Sequence, residues 1–385
     1  MIGEAPIVAT TEAIHLGAEP LEFRNRLFEY LVQEKGFTAI AIESGIVESR
    51  TVYEYVRGGP GKLSQVVADG VSWTFDRLPQ NESLIRWMTR YNADPAHVRK
   101  INFYGFDVPG SPGNVQARRG LQTALSEALR YLERVDAAAS AQFRGRLDPV
   151  WQKLRFDPSG AGETPGYESL APQARDALTA TVADLIDMFE RNEAAYTAAS
   201  SSENYEWSYR SAIAARQVDN WLRHIPLNDD TRDRAQADNL EWIIRREGPA
   251  GKVLVFAARY HLSAAPVLTN WATGGEPRQA QQVAGTYLRR RYGARYVNIG
   301  NLISSAQLKC GEDTLDLSAE SSQSWAGIFR QVGSPAFLLD LRAAPAPVKR
   351  FLDQMRPLGQ DQRLTLGSAF DVLFYLDTAS SACTQ

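Results

Sequence analysis

Short β-branched and apolar runs recur along the 385-residue chain at Pro6–Thr10, Phe37–Ile42, Ile101–Asp107, Lys252–Ala258, Arg295–Ile299, Ala336–Leu341 and Phe370–Leu376. Longer helical patterns separate them. This strand–helix alternation predicts an α/β fold with a largely parallel central sheet covered by helices on both faces. The first unit is the clearest. Leu21, Phe23, Leu27, Tyr30 and Leu31 fall at helical spacing, and Gly36 is placed to stop the helix before the run FTAIAI.

Between Asn114 and about Gly248 the strand signals thin out, and Ala-, Arg- and Glu-rich stretches predict helices at roughly 116–136, 170–199, 203–224 and 229–247. The Pro/Gly-rich segment at 156–166 and the serines at 199–202 read as loops. The expected organisation is therefore an α/β core in two parts, 1–113 and 249–385, around a large helical insertion at 114–248. A chain of this length buries a sizeable core without metals or disulfides.

Composition bears mainly on partners. A net charge of -3 carries no polybasic signature, so neither nucleic acid nor an anionic membrane is expected. No run approaches the length of a membrane span. A small molecule is the expected partner, and the sequence does not specify the oligomeric state. Cys310 and Cys383 form no CxxC or Cys/His cluster, which argues against a cysteine-based zinc site; they can pair if the protein is exported. As the sequence stands a cytoplasmic protein is expected, or a periplasmic or secreted one if a signal preceded Met1.

In open parallel sheets, ligands bind at the carboxyl ends of the strands. Glu12 and His15 follow the first predicted strand, Glu43 ends the second, Asp107 ends the third and His261 follows the fourth. His15, three residues after Glu12 and able to face Glu43 across a neighbouring strand end, suits a general base whose tautomer a carboxylate fixes. The alternative is a histidine that only caps the first helix. His261 can polarise a carbonyl, protonate a leaving alcohol or close a turn, and Asp107 can bind ligand or cap the turn into VPGSPG. Arg24, near the start of the first helix, is placed to hold Glu12 or Glu43 ionised or to support oxyanion charge. His97 and His224 read as structural. There is no G-x-S-x-G, Walker A, G-x-G-x-x-G or H-E-x-x-H motif, so base-activated water is the simplest hydrolytic chemistry, with no cofactor. A metal held by His15, His261 and a carboxylate is the other use of these groups, although no local spacing demands one.

The opening IGEAPIVATTEAIHLGAEPLEFRNRLFEYLVQEKGFTAIAIES resembles that of the erythromycin esterase family: a strand, Gly-Glu-x-x-His-Gly, a helix carrying an Arg, and a strand ending in Glu. VYEYVRGG, NESLIRWMTRYN, INFYGFD, RDRAQADNLEWI, SPAFLLDLRAAP and FDVLFYLD extend the likeness over nearly the whole chain. The resemblance implies a metal-independent hydrolase in which His15 activates water against a carboxylic ester, with Glu12, Arg24 and Glu43 on the family's functional positions. In the named members the ester is a macrolide lactone, so antibiotic resistance is one role it suggests. Three departures stand out. Thr11 and Leu16 replace the two glycines, and the family's Ala-His-Asn-x-His reads here Ala257-Ala258-Arg259-Tyr260-His261, without its first histidine. Either His261 or Tyr260 substitutes for it, or the scaffold serves ligand binding or a biosynthetic elimination or cyclisation.

Overall fold

The run IVATTE is buried along its whole length, as a strand flanked by strands and covered on both faces must be. In the computed structural model, which describes residues 1–73, 75–109, 114–152, 167–224, 230–269, 279–311, 313–317, 321–358 and 362–383, it is strand β1 (Ile7–Glu12). The other strands are β2 (Ala39–Gly45), β3 (Asn102–Asp107), β4 (Val253–Ala258), β5 (Val267–Thr269), β6 (Gln279–Gln281), β7 (Tyr296–Cys310), β8 (Asp313–Leu317), β9 (Ala336–Asp340), β10 (Met355–Pro357), β11 (Gln362–Thr365) and β12 (Val372–Ala379).

The main sheet runs β3-β2-β4-β1-β7-β12-β9, with β8 paired to β7. Pairing is parallel except at β9–β12 and β7–β8. The α/β architecture expected from the alternation is what the chain adopts. β4 lies between β1 and β2, so the ends carrying His15 and Glu43 are not neighbours, in contrast to the expectation from sequence. A second sheet, β10-β11-β5-β6, is antiparallel. Its strands of three or four residues are too short to show alternation.

Side-chain alternation divides each central strand between two cores. Ile7, Ala9, Ala39, Ala41, Tyr104, Phe106, Val253 and Val255 face one side; Val8, Ile40, Ile42, Phe103, Leu254 and Phe256 face the other. The second side is covered by α1 (Ala18–Lys35), part of α2 (Arg50–Val56), α3 (Leu63–Gly70) and α4 (Pro79–Ala93). The helices between β3 and β4 share the first core: α5 (Asn114–Val135), α6 (Ala137–Trp151), α7 (Pro172–Arg191), α8 (Glu193–Ala199), α9 (Ser202–His224) and α10 (Thr231–Glu247). α11 (Ala284–Tyr292) follows the second sheet's β6. Each large side chain so buried stabilises the fold by roughly 1.5–3 kcal/mol. The Pro/Gly-rich segment at 156–166 lies outside the described residues.

Two details of the chain position the rim. Gly36 ends α1 at a left-handed φ of 68°, and the following Phe37 N–H reaches the Leu31 carbonyl at 3.0 Å, which turns the chain directly into β2. Further on, β2 carries a bulge: Ile42 pairs with Gly105 and Gly45 with Asp107, so Glu43 and Ser44 together oppose Phe106. A side chain at 105 would meet the Ser44 carbonyl oxygen at 2.4 Å, so only glycine lets β3 lie against this bulge. Bulges re-aim side chains, and this one turns Glu43 towards β4.

Candidate active site

The carboxyl end of β1 is anchored before it delivers its functional groups. The Asn301 N–H donates to Thr11 Oγ1 at 2.8 Å and the Ala13 N–H donates to Asn301 Oδ1 at 3.0 Å, tying the turn to β7. Glu12 is buried, and its Oε1 accepts from His15 Nδ1 at 2.7 Å. His15 itself stands at the rim with its side chain 46% exposed and its ring 5.3 Å from that of Phe75. Nδ1 is thereby committed to the carboxylate, which leaves Nε2 for chemistry at the open face. Burial of neighbouring surface opposes the imidazolium, but Glu12, and Glu43 more distantly, outweigh it and raise the His15 pKa.

Arg24 is buried on α1 and bonds Asn25 Oδ1 through Nε at 3.0 Å and Nη2 at 2.7 Å. Its guanidinium lies over Phe256, 4.8 Å from the ring centre. Among the described residues it forms no ion pair with Glu12 or Glu43; it acts on Glu12 through space, and burial depresses its own pKa to about 9. Glu12, Arg24, Glu43 and Asn81, with Phe75 and Phe256, line a cavity of about 10 Å³. That is room for about one water. Glu12 Oε2 and Asn81 Oδ1 are buried there without a protein partner.

The second half of the rim centres on Glu43. Its Oε2 accepts the Ala258 N–H at 2.8 Å, while Oε1 lies 3.3 Å from His261 Nε2 and 3.2 Å from Arg232 Nη2. His261 is buried, and its Nδ1 donates to Asp233 Oδ1 at 2.8 Å, so the imidazole bridges two carboxylates. Burial opposes its protonation, yet Asp233 and Glu43 together push its pKa up to about 10. Burial would likewise raise Glu43, but His261 and Arg232 prevail and hold it well below the usual carboxylate range. Arg232 Nε donates to Asp107 Oδ1 at 3.1 Å and Nη2 to Oδ2, and the same Oδ1 caps the Val108 N–H at 2.8 Å. Burial, with Glu43 nearby, nevertheless keeps Asp107 above its ordinary pKa, the guanidinium offsetting only part.

Arg232 and Asp233, on the first turn of α10, carry no role in the sequence reading. Their signal was available: RDRAQADNLEWI opens a helix that enters from the rim. The Arg232 guanidinium lies over the rings of Trp73 and Trp221, 4.7 and 5.8 Å from their centres. Trp73 and Leu16 are, among the described residues, the two non-glycine residues with positive φ, at 68° and 70°. Such backbone concentrates where function constrains the chain, and Leu16 occupies one of the positions at which a glycine is replaced.

Tyr260 does not reach the rim. Its hydroxyl donates to Gln281 Oε1 and its ring packs with Val267 and Val283. Arg259 points to the Asn301 and Leu358 carbonyls. Ala258, the register partner of Glu12, lies between Glu12 and Glu43, so His261 is the imidazole left in that half. His97 stacks on Tyr91 at 3.6 Å and His224 bonds the Asn220 carbonyl at 2.7 Å, both in structural settings. Among the described residues no group of three or more His, Cys, Asp or Glu is arranged to hold a metal ion. Cys310 and Cys383 are joined by a disulfide.

Sheet and rim together define an α/β protein whose strand ends present two carboxylate–imidazole pairs. The chain belongs to the erythromycin esterase family, whose sequence pattern matches residues 32–379; that match begins after Glu12, His15 and Arg24. Membership supports a hydrolase of the esterase type. The chain is similar to erythromycin esterase type II of Escherichia coli, at 22% identity over 317 residues, 78% of this chain and 69% of that protein. Among solved structures, a Bacillus cereus protein matches with TM-score 0.78 and 25% identity, covering 100% of this chain and 91% of that one. A succinoglycan biosynthesis protein matches at 0.77 and 22%, covering 99% and 89%. An erythromycin esterase mutant in its open conformation matches at 0.72 and 17%, covering 99% and 92%, which supports the shared fold.

Proposed function

We propose that this chain hydrolyses a carboxylic ester, a lactone or macrolide-like natural product, by His15-activated water and without a covalent serine intermediate. The observation that carries this reading is the His15–Glu12 pair: an imidazole exposed at the strand ends whose Nδ1 is held at 2.7 Å by a buried carboxylate. Water gives its proton to His15 Nε2 as its oxygen bonds to the carbonyl carbon, and the carbonyl π pair moves onto oxygen. Collapse of that intermediate breaks the bond to the alkoxide, which takes the proton back from His15. Glu12 steadies the imidazolium throughout. On the opposite side His261, protonated at neutral pH and oriented by Asp233, acts with Arg232 as the source of positive charge for the oxyanion. Arg24 supports Glu12 electrostatically, and Glu43 holds His261 and Arg232 in register.

The test is incubation with a panel of macrolides and simpler lactones followed by mass spectrometry. A gain of one water that disappears in His15→Ala, with the fold intact, supports the reading; undiminished turnover by that variant rejects it. A second reading, a biosynthetic elimination or cyclisation or simple ligand binding, is favoured by the alanine at 258 and agrees with the name of the succinoglycan biosynthesis relative. A product of unchanged mass, or one short of a water, supports it instead. Among the described residues no helix is long and apolar enough to cross a membrane, and the Cys310–Cys383 bond favours an oxidising compartment.

A further inference from the structure

The turn that carries His15 is gripped from outside by the last described residues of the chain. The Ala18 N–H donates to the Ser380 carbonyl at 2.8 Å, and the Ala382 N–H donates to the Leu16 carbonyl at 2.7 Å. Between these two bonds Gly17 and Ser381 form an antiparallel bridge. The Glu19 carboxylate accepts the Ser380 N–H at 2.9 Å and its hydroxyl at 2.6 Å. The segment is fastened in turn to β7, because the Lys309 N–H donates to Ser381 Oγ at 2.9 Å and Cys383 is bonded to Cys310. Leu16, in the middle of this grip, adopts a φ of 70°, which a β-carbon disfavours.

We propose that Ser380–Cys383 is a positioning strap for the active site: the Cys310–Cys383 bond holds the strap against Leu16–Ala18, and the strap holds the left-handed turn that presents His15 to Glu12. A glycine at position 16 would adopt this turn without help; with leucine there, an external restraint maintains it. The disulfide closes a span of 73 residues, so it tethers a segment following the last strand that the bonds around Ser380 and Ser381 alone would leave free to fray. The inference rests on His15 being the general base for its catalytic consequence, but not for its structural one.

The test compares the wild type with Cys310→Ser/Cys383→Ser and, independently, with Glu19→Ala, which removes the carboxylate that holds the Ser380 N–H and hydroxyl while keeping the disulfide. Two readouts need no substrate: amide hydrogen exchange at Ala18 and Ala382, and NMR titration of the His15 ring, which senses Glu12, Glu43 and His261. Both variants should speed exchange at Ala18 and Ala382 by about tenfold or more while Val8 in β1 stays protected, and the His15 pKa should fall towards 6.5, its ordinary value. Unchanged exchange and titration in folded protein overturn the proposal, as does acceleration at Val8 equal to that at Ala18, which marks general destabilisation. If the cysteine variant does not fold, Glu19→Ala decides alone. Turnover that survives His15→Ala removes the catalytic reading and leaves the strap measurable.

Discussion

His261 Nε2 lies 3.3 Å from Glu43 Oε1, a contact that exists because the bulge in β2 turns Glu43 across the end of β4. The same oxygen faces Arg232. Three charged groups from separate elements are thus held in buried surroundings, where each depends on the others for its ionisation.

This arrangement dictates how stability varies with pH. His261 is more basic folded, at about 10, than unfolded, so its contribution is fully present below 6.5 and is lost as pH rises through about 10. Glu43 is more acidic folded, so its contribution is present above 4.5 and is lost as pH falls through its lowered folded pKa. Thermal melts between about pH 5 and about pH 10 should show Tm declining on the alkaline side, and Glu43→Gln should flatten that decline. Parallel curves for the two proteins would argue against the coupling. Glu43→Ala, which strips His261 and Arg232 of a buried counter-charge, should cost about 3–5 kcal/mol in denaturant unfolding.

The His15–Glu12 pair sets a pH profile of its own. A general base works unprotonated, so kcat/KM on any accepted ester should rise with pH to a plateau, with an apparent pKa above 6.5. Glu12→Gln removes the largest attraction for the proton and should move that limb to lower pH, while His15→Ala should reduce kcat by about 10²-fold or more. A limb that stays in place in Glu12→Gln means that another group titrates.

Much of this framework was legible in the sequence, and the parts that were not have physical reasons. Short β-branched and apolar runs and Gly36 mark the core strands and the end of α1, because a strand buried on both faces and a left-handed cap restrict residue choice strongly. Strand order leaves no such mark: nothing in IVATTE or FTAIAI tells that β4 runs between them, and for that reason His261, not His15, meets Glu43. The placement of Glu12, His15, Glu43, Asp107 and His261 at one rim follows from their position after strands. Arg232 and Asp233 do not sit after a strand; they reach the rim from the start of α10, and a first-turn Arg-Asp pair looks the same in sequence whether it is solvated or buried. Arg24, which the sequence places to hold Glu12 or Glu43 ionised or to support oxyanion charge, lies over Phe256 and acts on Glu12 through space.

Leu16 offers a test of backbone strain that inverts the usual ranking. Its side chain is buried among apolar neighbours, so truncation to alanine should cost about 2–5 kcal/mol. Elsewhere glycine would be worse than alanine. At a φ of 70° the order should reverse, with Leu16→Gly more stable than Leu16→Ala by about 1 kcal/mol or more, because the alanine β-carbon retains the left-handed penalty of roughly 1–2 kcal/mol. Equal unfolding midpoints for the two variants would mean that the turn relaxes once the leucine is gone.

Arg232 is the group whose loss should spread furthest. Its guanidinium spans both oxygens of Asp107 and one of Glu43 while lying over the rings of Trp73 and Trp221. A lysine carries the charge but lacks the planar fork and the stacking face, so Arg232→Lys should be destabilising although it conserves charge. Arg232→Met fills similar volume and leaves Asp107 buried with little to offset its desolvation, which should drive that carboxyl further upward and cost about 3–5 kcal/mol. Asp107→Asn in the Arg232→Met background removes the stranded carboxylate and should recover part of the loss. A double-mutant cycle by urea unfolding should therefore give a coupling of about 0.5–3 kcal/mol. Additive losses would show that Asp107 and Arg232 are held by their own surroundings, with Glu43 left as the carboxylate that fixes the arginine.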